Sequence, residues 1–141
     1  MTPTDIALVR EGFAKIAPNA ERVGLALYDR LFQAEPSLRL LFRGDMRVQV
    51  GHLMAAVTMV VRSLDDLTPI LLRIQELGAR HAAYGVERRH MAMGGEALLA
   101  ALADELGDAF TAEARAAWAR AYGTLSGAML AAMPDPIPNA A

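Results

Sequence analysis

Residues 77–86 read LGARHAAYGV, and the fold follows from this stretch. Leu, Ala and Arg favour helix, and Gly85 supplies the stop. Counting back from His81, apolar residues stand at Leu77, Ile74 and Ile70, at spacings of 4, 7 and 11. These spacings put a histidine at the end of an apolar helical stripe, in a helix expected over 69–84. An imidazole directed at a core needs a partner, so polar residues on other apolar stripes become informative.

Two more stand out. Gln49 precedes Leu53, Ala56 and Val60, again at spacings of 4, 7 and 11. It falls in a helix expected over 46–63, which Asp45 caps after the turn Arg43-Gly44-Asp45. Tyr28 has Gly24 and Leu25 behind it and Leu31 and Phe32 ahead, in a helix expected over 20–34. Glu35-Pro36 ends that helix and opens the segment SLRLLF, which finishes at Phe42.

The remaining segments are also helical. Thr2-Pro3-Thr4-Asp5 places a cap, a first-turn proline and a first-turn acid ahead of Ile6, Val9, Phe13 and Ile16. Pro18 stops this helix, and Asn19 is expected to cap the next. Ser63 to Pro69 forms a joint. Later helices are expected over 87–106, ending at Gly107, and over 112–133, with Thr111 as cap. Residues 134–141, PDPIPNAA, read as a frayed terminus. Gly94-Gly95 is expected to permit close helix packing, and the methionines to fill core. Asp65-Asp66 and Glu87-Arg88-Arg89 read as solvated helix ends. His90, following the last of these, is expected to point to water.

At 141 residues the chain has the size of one domain, expected over 1–141 and all-α. A hydrophobic fraction of 54% against 21% charged residues excludes disorder. Cysteine is absent, which excludes disulfides, thiolate nucleophiles, cysteine-ligated zinc and iron–sulfur clusters. The 14 basic residues are outnumbered by 16 acidic ones, so no basic excess points to nucleic acid. No leader pattern precedes the first helix, and the apolar stretch Leu53–Val61 meets charge at Arg62. A cytoplasmic protein without membrane contact is expected.

A histidine on an apolar face is most often a satisfied core residue, and a buried tyrosine usually bonds a carbonyl. A glutamine near a helix start is often solvated. Together, on three helices of one short chain, the three fit a cavity with an imidazole on one side and hydrogen-bond donors on the other. Haem makes that demand. The chain has no H-E-x-x-H, no Gly-rich phosphate loop after a strand and no Ser-His-Asp elbow.

In these residues the chain resembles a globin, over about residues 5–133. It is most similar to bacterial single-domain globins related to flavohaemoglobins, of the Hell's Gate globin type. The stretches that carry the likeness are residues 77–86, LYDRLF with PSLRLLF within 27–42, MRVQVGHLM at 46–54, and AAWARAYG at 116–123. The resemblance implies a 3-over-3 helical sandwich around haem b, with a short C helix and no separate D helix. It makes His81 the proximal iron ligand. Tyr28 and Gln49 become the distal hydrogen-bonding residues, with Leu53 above the iron. Phe42 becomes the wedge against the ring, and Leu77 and Val86 its proximal contacts. Propionate partners are expected in Arg80 first, then His52 and Arg47.

Flavohaemoglobins set a tyrosine and a glutamate behind the proximal histidine, where this chain has Met91 and Met133. Neither can accept a proton from His81, so the acceptor is expected to be a backbone carbonyl near Leu77. The resemblance therefore implies reversible binding of dioxygen and other diatomic gases such as CO and NO, for storage or delivery, with no catalytic residue assigned. Its alternatives are nitric oxide dioxygenation with a separate reductase, and gas sensing.

Overall fold

The computed structural model describes residues 1–134, so the tail beyond Pro134 lies outside the described residues. Six α-helices follow in order: α1 (Pro3–Ile16), α2 (Ala20–Ala34), α3 (Met46–Arg62), α4 (Leu71–Ala83), α5 (His90–Leu106) and α6 (Ala112–Ala131). Short 3-10 segments occupy Ala17–Asn19, Pro36–Leu41, Thr68–Ile70 and Gly107–Ala109. The segment expected after Pro36 is thus a 3-10 turn, and no helix separates it from α3.

Local chemistry explains most boundaries. The Thr2 side chain accepts from the Asp5 N–H, and the Asp5 carboxylate accepts from the Thr2 N–H, each at 3.1 Å. Asp45 accepts from the Arg47 N–H at 2.9 Å, and Thr111 from the Ala114 N–H at 3.1 Å. Asn19 occupies its expected cap position but makes no side-chain cap bond. The α5 helix begins at His90 rather than 87, and α6 ends at Ala131 rather than 133.

Helices α1, α3 and α4 lie over α2, α5 and α6, in a globin-like 3-over-3 sandwich. The core centres on Val9, Ile16, Ile74, Leu102, Ala117 and Trp118. The main pairings are α2 with α5 and α3, and α6 with α1 and α4. No comparable packing joins α3 to α4.

Two glycines set the seats of these helices. A Cβ at Gly24 would lie 2.5 Å from a Val50 methyl, so α2 and α3 cross closely there. A Cβ at Gly78 would run into the backbone carbonyl of Met129, so α4 rests directly on α6. Gly127, also on α6, has open space beside it. Gly78→Ala is therefore expected to destabilise the protein by about 1–3 kcal/mol through overpacking. Gly127→Ala should instead add about 1 kcal/mol through helix propensity. Urea midpoints of the two variants check both signs.

Candidate functional site

His81 projects from α4 one turn after Leu77. Its Nδ1 lies 2.7 Å from the Leu77 carbonyl oxygen. A carbonyl can only accept, so Nδ1 carries the ring proton and Nε2 keeps its lone pair. Helix geometry alone supplies this contact, because residue i−4 stands directly behind residue i. Neither Met91 nor Met133, both buried in the core, offers an oxygen from its side chain.

The turn after α4 is set by Gly85, whose φ of 103° suits glycine. The Val86 N–H donates to the His81 carbonyl at 2.9 Å, which brings half-buried Val86 back beside the histidine's helix. Leu41 lies 3.2 Å from where a Gly85 Cβ would stand, so the Pro36–Leu41 segment touches this turn.

The close crossing at Gly24 and Val50 brings together the polar residues of α2 and α3. Burial pushes the Tyr28 phenol above its ordinary range, and the nearby Gln49 side chain works in the opposite direction. Tyr28 therefore stays protonated at neutral pH and can donate. Its ring packs with Phe32 at 5.8 Å and edge-on to Phe42 at 5.3 Å, while Phe32 and Phe42 lie 5.3 Å apart. Spacing along the sequence does not announce this three-ring cluster; the local signal is Phe32, four residues after Tyr28.

Leu53, Leu77, Phe42 and Val86 are all half-buried and pack against the core. Each keeps part of its apolar surface open to solvent. Among the described residues no cluster of three or more His, Cys, Asp or Glu side chains could hold an ion. An iron bound by His81 would need its other ligands from a macrocycle, and partly open apolar side chains such as Leu77 and Val86 on the same chain segment suit a flat one. The residues present therefore fit haem.

Arg80 and His52 are exposed, as a rim position requires. Arg47 is also exposed, but its side chain pairs with Glu21 at 3.2 Å. His90 departs from expectation: it is 6% exposed, and its Nδ1 accepts from the Glu87 N–H at 2.9 Å. Its ring folds back onto the turn before α5 instead of meeting water. Arg88 departs too. Its guanidinium donates to the Leu130 carbonyl at 2.8 Å, covering the end of α6. Gly94 and Gly95 do allow a close approach, to the Tyr122 ring, whose hydroxyl donates to the Met91 carbonyl.

Comparison with known proteins places this arrangement. The family profile described as Globin matches residues 25–129. The chain is 31% identical over 143 residues to neuroglobin of Danio rerio, covering 92% of this chain and 90% of that protein. It is 33% identical over 129 residues to a flavohemoprotein of Bordetella pertussis and 29% over 128 residues to one of Bacillus subtilis. In both cases it covers 89% of this chain, and it spans 32% of the flavohemoproteins' length. The fold matches a bacterial globin structure from Campylobacter jejuni with a TM-score of 0.79, at 21% identity over 89% of this chain and 91% of that one.

Proposed function

We propose, because the chain belongs to the globin family, that it holds haem b through His81 and reversibly binds dioxygen and other diatomic gases. One observation carries the reading: the Nδ1 of His81 donates to the Leu77 carbonyl, while buried Tyr28 lies near Gln49 where α2 and α3 cross. When bound, haem supplies a ferrous iron with one face open to a gas molecule.

The chain's own residues then do four things. His81 offers Nε2 to the metal, with its ring orientation fixed from behind by the Leu77 carbonyl. Tyr28 donates its hydroxyl proton towards a polar diatomic ligand, and Gln49 either donates as well or holds Tyr28 in place. Leu53 and Phe42 exclude water, which slows iron oxidation. Arg80, with His52 as the lesser candidate, meets the propionates at the rim.

Storage or delivery of dioxygen is preferred to nitric oxide dioxygenation or sensing. A neutral carbonyl behind His81 gives less electron donation than a carboxylate would. Among the described residues no helix is long and apolar enough to cross a membrane. Optical spectra of the purified ferric, ferrous and carbonyl forms test haem binding directly. Turnover with nitric oxide and a generic reductase separates a carrier from an enzyme.

His52 is the one histidine near the distal side that could close the open face. Three residues after Gln49 it is rotated about 300° around the helix, and it is exposed. The ferrous protein without gas is therefore expected to be high-spin, and unchanged in His52→Ala. A low-spin spectrum that turns high-spin in this variant would reverse the assignment.

A further inference from the structure

We infer that Arg89 is a positioning residue for the haem crevice: by gripping Glu35 it clamps the turn after α4 to the segment after α2, where Val86 and Phe42 sit. The inference rests on the haem reading above.

Glu35 closes α2 and opens the Pro36–Leu41 segment. One of its carboxylate oxygens accepts from the Ser37 hydroxyl at 2.7 Å, and the other from the Arg89 guanidinium at 2.9 Å. The second arm of that guanidinium donates to Glu87 at 3.1 Å. The Ser37 hydroxyl, then Arg89, hold the Glu35 carboxyl below the usual carboxylate range.

The residues either side of Arg89 are fastened independently. Arg88 is tied to the Leu130 carbonyl, and buried His90 takes the Glu87 N–H. Arg89 thus presents its guanidinium from an anchored backbone to a carboxylate already oriented by Ser37. An isolated exposed ion pair counts for little, because two long side chains must be ordered to make it. Here much of that ordering is done by other contacts. Leu41 against Gly85 adds an apolar contact beside the ionic one. Between them these contacts bridge a sequence separation of 54 residues and join the two segments that carry Phe42 and Val86.

The test uses the full chain with Glu35→Gln, Arg89→Gln and the double variant. Haem loss to a high-affinity haem-scavenging apoprotein is expected to rise three- to fivefold in each single variant. The double variant should be no faster than the singles, because each removes the same bond. Arg89→Lys should recover part of the loss, and 1 M NaCl should bring wild type close to the variants.

A second readout needs no haem. In the apoprotein, Glu35→Gln should speed amide hydrogen exchange at Tyr84–Glu87, far away in sequence, while α1 exchange stays constant. Unchanged exchange at Tyr84–Glu87 overturns the clamp. Clamped exchange with unchanged haem loss, or additive effects in the double variant, overturns its positioning role. Failure of wild type to take up haem would instead overturn the haem reading, with the exchange result still deciding the clamp.

Discussion

His81→Ala is expected to abolish stable haem binding or leave a spectrum without an axial imidazole. The structure prepares one imidazole for this role: Nδ1 is committed to Leu77, so Nε2 is the nitrogen left to meet a ligand. Loss of outer partners to a ligating histidine typically costs 10–100-fold in metal affinity. Loss of the ligand itself should exceed the upper end of that range, read as haem loss at least about a hundredfold faster. His90 cannot substitute, because it is buried with Nδ1 engaged by the Glu87 N–H. His52 stands on α3, which does not pack on the helix of His81. Adding free imidazole to His81→Gly should restore an imidazole-type spectrum by filling the vacated volume. A normal imidazole spectrum in His81→Ala without added ligand would remove His81 from the site.

The second large effect concerns gas release. Tyr28→Phe keeps the ring, and with it the contacts to Phe32 and Phe42, and deletes only the hydroxyl. A hydrogen bond of about 1.5 kcal/mol corresponds to about a tenfold change, which appears mainly in the off-rate. Dioxygen release is therefore expected to accelerate at least tenfold by stopped flow. Carbon monoxide, less polar when bound, should respond much less. Gln49→Leu should have the smaller effect if its amide chiefly orients Tyr28, and the double variant should then fall short of the sum.

The same residue sets a pH dependence. Burial raises the Tyr28 phenol above its ordinary value of 10.0, so the donor form persists through neutral and mildly alkaline solution. Dioxygen release from wild type should be flat in this donor contribution up to about pH 9. It should quicken only when the phenol ionises, and Tyr28→Phe should lose that alkaline rise. An off-rate indifferent to the hydroxyl would mean that it points away from the gas, leaving Gln49 as sole donor.

Much of this was legible in the residues because it depends on helical periodicity. The His81 contact with Leu77 is a matter of one helical turn, and polar residues on the stripes of α2, α3 and α4 identify themselves. Caps at Thr2, Asp45 and Thr111 are local for the same reason. What escaped needs distant partners. His90 follows a charged run and looks solvated, but packing at the start of α5 buries it, and its ring takes the Glu87 N–H of the preceding turn. Arg88 reads as surface charge until the end of α6 is placed against it. The aromatic cluster at Tyr28 requires the chain to double back after Pro36, which no spacing within α2 announces.

The hydrogen bond behind His81 belongs to the peptide chain and not to any side chain. Any non-proline residue at position 77 would present the same carbonyl, so mutational drift there alters the lining of the crevice while leaving the polarity of the imidazole untouched. Where a carboxylate does this job, a single codon change can switch the electronic push on the metal. Here that setting is inherited with the helix itself. If the haem proposal holds, selection is then free to adjust gas retention at Tyr28 and Gln49, and the tightness of the pocket at Leu77, as two independent dials.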